Sequence, residues 1–222
     1  MSFKKNKYIV IKNAVSKEIT TLLYNYFLVR KKTYDTMIEH RYISPFEKGF
    51  GYYETHENQV PNTFAIYGDV LFDVLMLKIQ PIMEKATKLK LQSAYTYGRI
   101  YKKGDVLKRH KDRFSCEIST TMNLGGDNWP IYLSPNENVG IPDGKKITLN
   151  SQAKGIKVDL KPGDMLIYSG CELEHWRNAF KGKECAQLFL HYNNVKTKDF
   201  KKYLFDRKPH IGLPGWFIGK LK

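Results

Sequence analysis

Hydrophobic and polar positions follow two different rhythms along the chain, and the change falls near residue 92. Before it, "KYIVIKNAVS" reads as a strand ending in a turn. Ser16 then caps a helix over "KEITTLLYNYFLVRKK", in which Leu22, Leu23, Tyr26 and Phe27 share a face at helical spacing. "TFAIYGDVLFDVLMLKIQPIMEKATKL" predicts a second helical region, with Pro81 at a kink or a break between two helices. Residues 33–62 between them are polar, aromatic and irregular. A connection of that length predicts a functional lid, with Tyr42, Phe46, Phe50, Tyr52 and Tyr53 covering substrate.

From residue 92 the texture becomes short strand-like runs: "SAYTYGRIY", "EISTTMNLG", "PIYLS", "ITLN", "IKVDL", "MLIYSG" and "CAQLFLHYN". Gly, Pro and Asp turns such as "KKGD", "GDNW" and "KPGD" separate them, which argues for an antiparallel double-sheet core. The fold class is therefore α+β: a jelly roll over residues 92–195, a strand-and-helix support over 1–91, and a tail over 196–222, all in one domain. The tail aromatics Tyr203, Phe205, Trp216 and Phe217 predict that it packs back on the body.

Composition narrows the class. In 222 residues, 42% hydrophobic and 14% aromatic side chains exclude a disordered chain. The apolar runs are broken by charge well short of the ~20 residues a membrane span needs. "MSFKKNKYIVIKNAV" lacks a signal-peptide pattern. Cys116, Cys171 and Cys185 are widely spaced and form no C-x-x-C pair, which excludes a zinc ribbon or disulfide framework and fits a reducing cytoplasm. The net charge of +15 would attract polyanions, but the lysines are spread along the whole chain without a nucleic-acid motif. They read as solvated surface, and a nucleic-acid partner is allowed rather than favoured.

Chemistry concentrates in "RHKDR". In an extended segment, residues i and i+2 point the same way, so His110 and Asp112 can reach one ion. Two histidines and one carboxylate with open positions make the facial set of a mononuclear Fe(II) oxygenase. The third ligand should come from a later strand, and His175, delivered by "LKPGDMLIYSGCELEH", is the best candidate. His191, inside "CAQLFLHYN", reads as a satisfied strand histidine or a pocket wall. His40 and His56 read as loop surface. Arg109 and Lys111 alternate away from the ligand face and read as solvent-side.

"YKKGDVLKRHKD" resembles the Y-x-x-G-x-x-[L/F]-x-x-H-x-D segment of 2-oxoglutarate and Fe(II)-dependent dioxygenases of the prolyl 4-hydroxylase-like superfamily. "LKPGDMLIYSG…H" resembles their second half, and the 65-residue interval from His110 to His175 matches their spacing. The resemblance spans most of residues 8–195. It implies a double-stranded β-helix in which His110, Asp112 and His175 hold Fe(II), and Tyr101 lines the 2-oxoglutarate pocket. Thr121 and Asn123 are further candidates for hydrogen bonds to 2-oxoglutarate.

The chain departs from the family where a cation should meet the distal carboxylate of 2-oxoglutarate. The usual positions hold Glu184 and Cys185, so Arg177 and Lys183 are the candidates, with Arg177 preferred for its bidentate fork. Arg113 and Glu117 read as an ion pair fixing the metal turn, or as substrate contacts. Trp176 is placed at the site mouth, with Tyr52 and Tyr53 as loop contacts to substrate. The implied reaction consumes O2 and 2-oxoglutarate, with ascorbate as accessory reductant, and hydroxylates a prolyl residue in a peptide or protein. Free amino acids, other small molecules and nucleobases are the alternative substrates. A non-catalytic jelly-roll binding module, or a cupin with another metal, is the alternative class.

Overall fold

The computed structural model of the chain describes residues 2–55, 59–134 and 154–219. The expected "ITLN" strand, His56 and the side chain of Trp216 lie outside the described residues. The elements run α1 (Phe3–Asn6), β1 (Tyr8–Ile11), α2 (Lys17–Glu39), β2 (Tyr52–Tyr53), β3 (Phe64–Tyr67), α3 (Val70–Thr87), β4 (Leu91–Lys102), β5 (Leu107–His110), β6 (Ile118–Gly126), β7 (Ile131–Ser134), β8 (Ile156–Val158), β9 (Met165–Ser169), β10 (Glu174–Arg177) and β11 (Glu184–Asn194). They form a sheet in the order β1-β9-β6-β11-β4-β3-β2 and a smaller sheet in the order β5-β10-β7-β8. Every pairing among the described residues is antiparallel.

Strand alternation divides the large sheet into two chemically different faces. Ile100, Ile118, Met122, Met165, Ile167, Leu188 and Leu190 pack with Leu23 and Phe27 of α2 and Phe72, Met76 and Met83 of α3 in the main core. Burying each such side chain stabilises by roughly 1.5–3 kcal/mol. The fit is close: a Cβ on Gly98 of β4 would stand 2.9 Å from both Phe27 and Phe72. The opposite face of β4 carries Tyr95, Tyr97, Arg99 and Tyr101, which turn toward the small sheet and line the cavity between the two.

Some expected boundaries move. Ser16 caps α2 by accepting from Ile19 N at 3.3 Å, as its position predicts, but the helix runs through Glu39, so the start of the supposed lid is helical. Leu23 and Phe27 are buried while Leu22 faces solvent. Residues 64–67, expected to be helical, form β3. Gly68, at φ 71°, and Asp69, whose carboxylate accepts from Leu71 N and Phe72 N, end that strand and start α3. Pro81 sits inside an unbroken α3. The N-terminal segment does more than support the core, because β1, β2 and β3 add strands to the large sheet.

The tail does pack back, through an aromatic contact and buried charges. Tyr203 lies 4.5 Å from Phe114 between ring centroids. Asp206 and Lys208 are fully buried, Gly212 N donates to the buried Asp73 at 2.5 Å, and Lys208 Nζ donates to Leu213 O at 2.8 Å.

Candidate metal centre and cosubstrate pocket

β5 and β10 pair so that His110 and His175 stand opposite each other, with ring centroids 4.1 Å apart. Each ring is oriented by a backbone carbonyl two residues earlier: His110 Nδ1 bonds Lys108 O at 2.7 Å and His175 Nδ1 bonds Leu173 O at 3.0 Å. With Nδ1–H donating, each Nε2 presents a lone pair, the tautomer that metal-binding histidines use. Asp112 Oδ1 lies 3.5 Å from both Nε2 atoms. Its backbone N donates to Gly170 O at 2.9 Å, which anchors the segment after β5. Burial opposes ionisation of Asp112, but His175 and His110 outweigh it and hold the carboxyl well below the usual carboxylate range. The donor set, its convergence and its tautomers fit a divalent metal.

Outer contacts hold Asp112 in turn. Ser119 Oγ lies 3.2 Å from Asp112 Oδ2 and 2.9 Å from His191 Nδ1. With neutral His191 carrying its proton on Nδ1, Ser119 accepts from the imidazole and donates to the carboxylate. Burial pulls the His191 pKa down to about 4. His191 is thus both a satisfied strand histidine and a wall of the cavity, stacked 4.4 Å from Tyr95. Because its folded pKa lies below the unfolded value, its stabilising effect is complete above pH ~6.5 and is lost as pH falls toward 4. Replacing it with phenylalanine is expected to remove about 3 kcal/mol of pH-dependent stability across that window, read as a flatter plot of Tm against pH for metal-free protein.

Gly170 marks how tightly the turn is built. A Cβ there would clash with Cys116 O and stand 2.5 Å from Asp112 Oδ2. Gly170→Ala is expected to lower metal affinity about tenfold or more through the displaced carboxylate, and to destabilise by about 1–3 kcal/mol, measured by metal titration and thermal denaturation.

The cavity holding these ligands has a volume of about 460 Å³. Tyr67, Tyr95, Tyr97, Arg99, Tyr101, Tyr168 and Phe189 wall it from the large sheet and its flank, and Leu107 and Ile131 from the small one. Arg177 lies two residues beyond His175 on β10, about 6.6 Å along the strand, and is buried without lining the cavity. The residue is 1% exposed. Its partners are Thr121 Oγ1 at 3.1 Å, Gln187 Oε1 at 3.2 Å and the carbonyl of Trp129, all neutral, while its Nε is buried without a hydrogen bond among the described residues. A buried cation with only neutral partners is costly, and burial lowers its pKa.

The structure sorts the other expected residues. Tyr101 lines the cavity, packed edge-on to Trp129 at 4.7 Å. Thr121 is buried and accepts from Arg177, and neither residue lines the cavity. Asn123 instead donates to Leu160 O at 2.8 Å and fixes the turn before β9. Lys183 is exposed outside the barrel, because the turn ends before β11 begins; its backbone N bonds Asp127 at 2.6 Å. Arg113 and Glu117 do not pair with each other. Arg113 grips Asp206 of the tail with both terminal nitrogens at 2.6 Å. Glu117 accepts from Asn194 N at 2.9 Å and Thr197 Oγ1 at 2.6 Å, away from the cavity.

Trp176 alternates away from His175 onto the outer face of the small sheet, where Arg109 stacks over it at 3.5 Å and pairs with Glu174 at 2.9 Å. Arg109 is therefore partly covered rather than solvated. Lys111, also expected at the surface, is 7% exposed and lines the cavity. Tyr53 bonds Asp35 at 2.8 Å on the α2 side, and Tyr52 lines an adjoining cleft. Phe46, 90% exposed, and Tyr42 stand in solvent outside the cavity, which the loop reaches through Gln59. Arg99, Lys111, Tyr95, Tyr97, Tyr168 and Asp206 were missed by sequence reasoning. Alternation in "AYTYGRIY" around Tyr101 could have found three of them.

No family model matches the chain, and no curated protein matches it. Solved structures do. The fold is similar to a Pseudomonas putida prolyl-4-hydroxylase with a TM-score of 0.57 at 13% identity, covering 86% of this chain and 95% of that one. It is similar to the non-haem α-ketoglutarate-dependent epimerase SnoN from nogalamycin biosynthesis with a TM-score of 0.64 at 9% identity, covering 87% and 80%. It is also similar to HygX from Streptomyces hygroscopicus, solved with nickel and 2-oxoglutarate bound, with a TM-score of 0.54 at 13% identity, covering 87% and 85%. The chain has the jelly-roll fold of 2-oxoglutarate/Fe(II)-dependent oxygenases.

Proposed function

We propose that the protein is a 2-oxoglutarate- and O2-dependent Fe(II) oxygenase that hydroxylates its substrate. The observation that carries this reading is the convergence of His110, Asp112 and His175 on the wall of one cavity, with Asp112 Oδ1 3.5 Å from both Nε2 atoms, a donor set that suits Fe(II). His110, Asp112 and His175 would hold Fe(II), whose bound chemistry is the activation of O2 coupled to oxidation of 2-oxoglutarate to succinate and CO2. Arg177, with Thr121 and Gln187, would bind the distal carboxylate, and Tyr101 and Tyr168 would wall the cosubstrate. The aromatic residues of β4 and β11 keep water from the oxidising centre and orient the substrate C–H bond toward it.

A prolyl residue in a peptide is the first substrate reading. The aromatic rim formed by Tyr67, Tyr95, Tyr97 and Phe189 suits a saturated ring, and the cavity opens at the surface where a peptide could pass. A small-molecule substrate is the second, supported by the solved complex of HygX with hygromycin B. The test is anaerobic addition of Fe(II) and 2-oxoglutarate, read by the visible charge-transfer band of the chelate, followed by O2-dependent succinate release. Peptide, amino-acid and nucleic-acid pools are then screened for a one-oxygen mass gain. If the band fails to form, and His110→Ala leaves succinate release unchanged, the reading is wrong.

A further inference from the structure

A phenol and a thiol meet on the wall of the cavity. Tyr95 stands on β4, and Cys116 closes the short 3-10 turn Phe114–Cys116 that follows the Asp112 segment. Both residues are buried, and both line the cavity. Tyr95 Oη lies 3.0 Å from Cys116 Sγ, and neither atom has another hydrogen bond among the described residues. The neighbouring phenols are committed to charged groups: Tyr67 donates to Asp206 and Tyr97 accepts from Arg99.

The Tyr95 ring is held in place around that contact. Its centroid is 4.7 Å from that of Tyr67 and 4.4 Å from that of His191, and the Arg113 guanidinium lies 4.9 Å over the ring. The ring carbon beside the hydroxyl, which a phenol offers to oxidative coupling, is two bonds from the atom that touches sulfur. The same sulfur lies within 4.8 Å of an oxygen of Asp112 and a ring nitrogen of His191. It therefore stands next to a candidate Fe(II) ligand. A filled, dry site suppresses side reactions of an oxidising centre, so an unfilled one directs oxidation at its own wall. The other two cysteines give the contrast. Cys171 Sγ donates to Arg113 O at 3.3 Å, Cys185 Sγ accepts from Gln187 at 3.1 Å, and neither lines the cavity.

We propose that Cys116 and Tyr95 are a self-modification site: in the absence of substrate, turnover joins Cys116 Sγ to the Tyr95 ring carbon Cε beside the hydroxyl, forming a thioether. This rests on reading the cavity as an oxygenase site. The S–H bond and one Cε–H bond break and an Sγ–Cε bond forms, so the protein gives up two protons and two electrons. O2 takes these electrons and two more from 2-oxoglutarate. One oxygen atom enters succinate, CO2 is released, and the other oxygen leaves as water with both protons. The bond ties β4 to the turn after the metal segment and fixes the Tyr95 ring beside Asp112.

The test uses the full chain, purified anaerobically with chelator, then given Fe(II), 2-oxoglutarate and O2 without substrate. Intact mass is read after denaturation and treatment with a phosphine reductant. Loss of two hydrogen atoms is expected, and titratable thiols should fall from three to two. Tryptic digestion should give one branched peptide joining the Tyr95 and Cys116 segments. Tyr95→Phe and Cys116→Ser should keep the mass they had before exposure to O2. The wild-type mass and branched peptide decide the proposal even where a variant folds poorly.

A mass that stays unchanged while the chelate band forms and succinate is released overturns the thioether and leaves the oxygenase reading intact. Gain of an oxygen atom on Cys116 or Tyr95 without coupling also overturns it, as does a loss of two hydrogens that the phosphine reverses, which marks a disulfide. If no chelate band forms and no succinate is released, the oxygenase reading fails. The mass after exposure to Fe(II) and O2 alone then decides the thioether: coupling would persist with O2 reduced to hydrogen peroxide, and an unchanged mass would overturn it.

Discussion

Asp112→Asn is expected to lower divalent-metal affinity by more than about two orders of magnitude and to abolish 2-oxoglutarate-dependent succinate release. Loss of an outer partner of a metal ligand typically costs about 10–100-fold, and Asp112 is itself the only anionic donor of the cluster among the described residues. The side chains are nearly isosteric, so packing around Gly170 and Ser119 is retained and the effect is one of charge. His110→Ala and His175→Ala should act in the same direction. Calorimetric titration of Mn(II) into each variant, with the far-ultraviolet CD spectrum as a check of the fold, gives the measurement. Metal affinity within tenfold of wild type in Asp112→Asn would remove this cluster as the metal centre.

Arg177→Gln is expected to raise the KM for 2-oxoglutarate by roughly 10–150-fold, the equivalent of about 1.5–3 kcal/mol for a hydrogen bond to a charged group. Metal affinity should be nearly unchanged, because Arg177 lies two residues beyond His175 and belongs to no metal-binding cluster among the described residues. The protein without cosubstrate should be no less stable, and could gain stability. In wild type, among the described residues, the buried guanidinium meets the Thr121 hydroxyl, the Gln187 amide oxygen, a backbone carbonyl and the Trp129 ring, all neutral, so its desolvation is incompletely offset. Added 2-oxoglutarate should therefore raise the Tm of metal-loaded wild type and fail to raise that of the variant at the same concentration. Equal shifts in both would mean that another cation, with Arg99 a candidate on the cavity wall, binds the distal carboxylate.

The convergence of His110, Asp112 and His175 was legible in the sequence because its signals are local. The i, i+2 alternation places His110 and Asp112 together, and the "KPGD" turn with the buried strand after it delivers His175. The jelly-roll core was legible for the same reason, since short alternating strands between Gly, Pro and Asp turns leave few other ways to bury one face. The boundaries that moved did so where a long-range contact overrides a local pattern. "TFAIY" has an apolar run compatible with a helix, but residues 64–67 pair with β4 and lengthen the large sheet.

What surrounds the His110–Asp112–His175 cluster depended on pairings distant in sequence. Lys183 seemed to share a strand face with Cys185, yet β11 begins one residue too late to turn it inward. Trp176 and Lys111 exchanged their expected environments, because β10 turns its odd-numbered residues, His175 and Arg177, inward and the Asp112 segment leaves the small sheet after His110. Arg113 found its acid 93 residues away, in a tail whose charged residues gave no local hint of burial.

The chain's local pattern thus determined the sheet periodicity and that His110, Asp112 and His175 could converge, since these follow from alternation and turn formation within a few residues. Tertiary structure alone decided which cations enter the cavity and which remain outside. That choice depends on strand registers, on where each strand starts, and on the burial of a distant carboxylate, all of which are set only once both sheets and the tail have packed together.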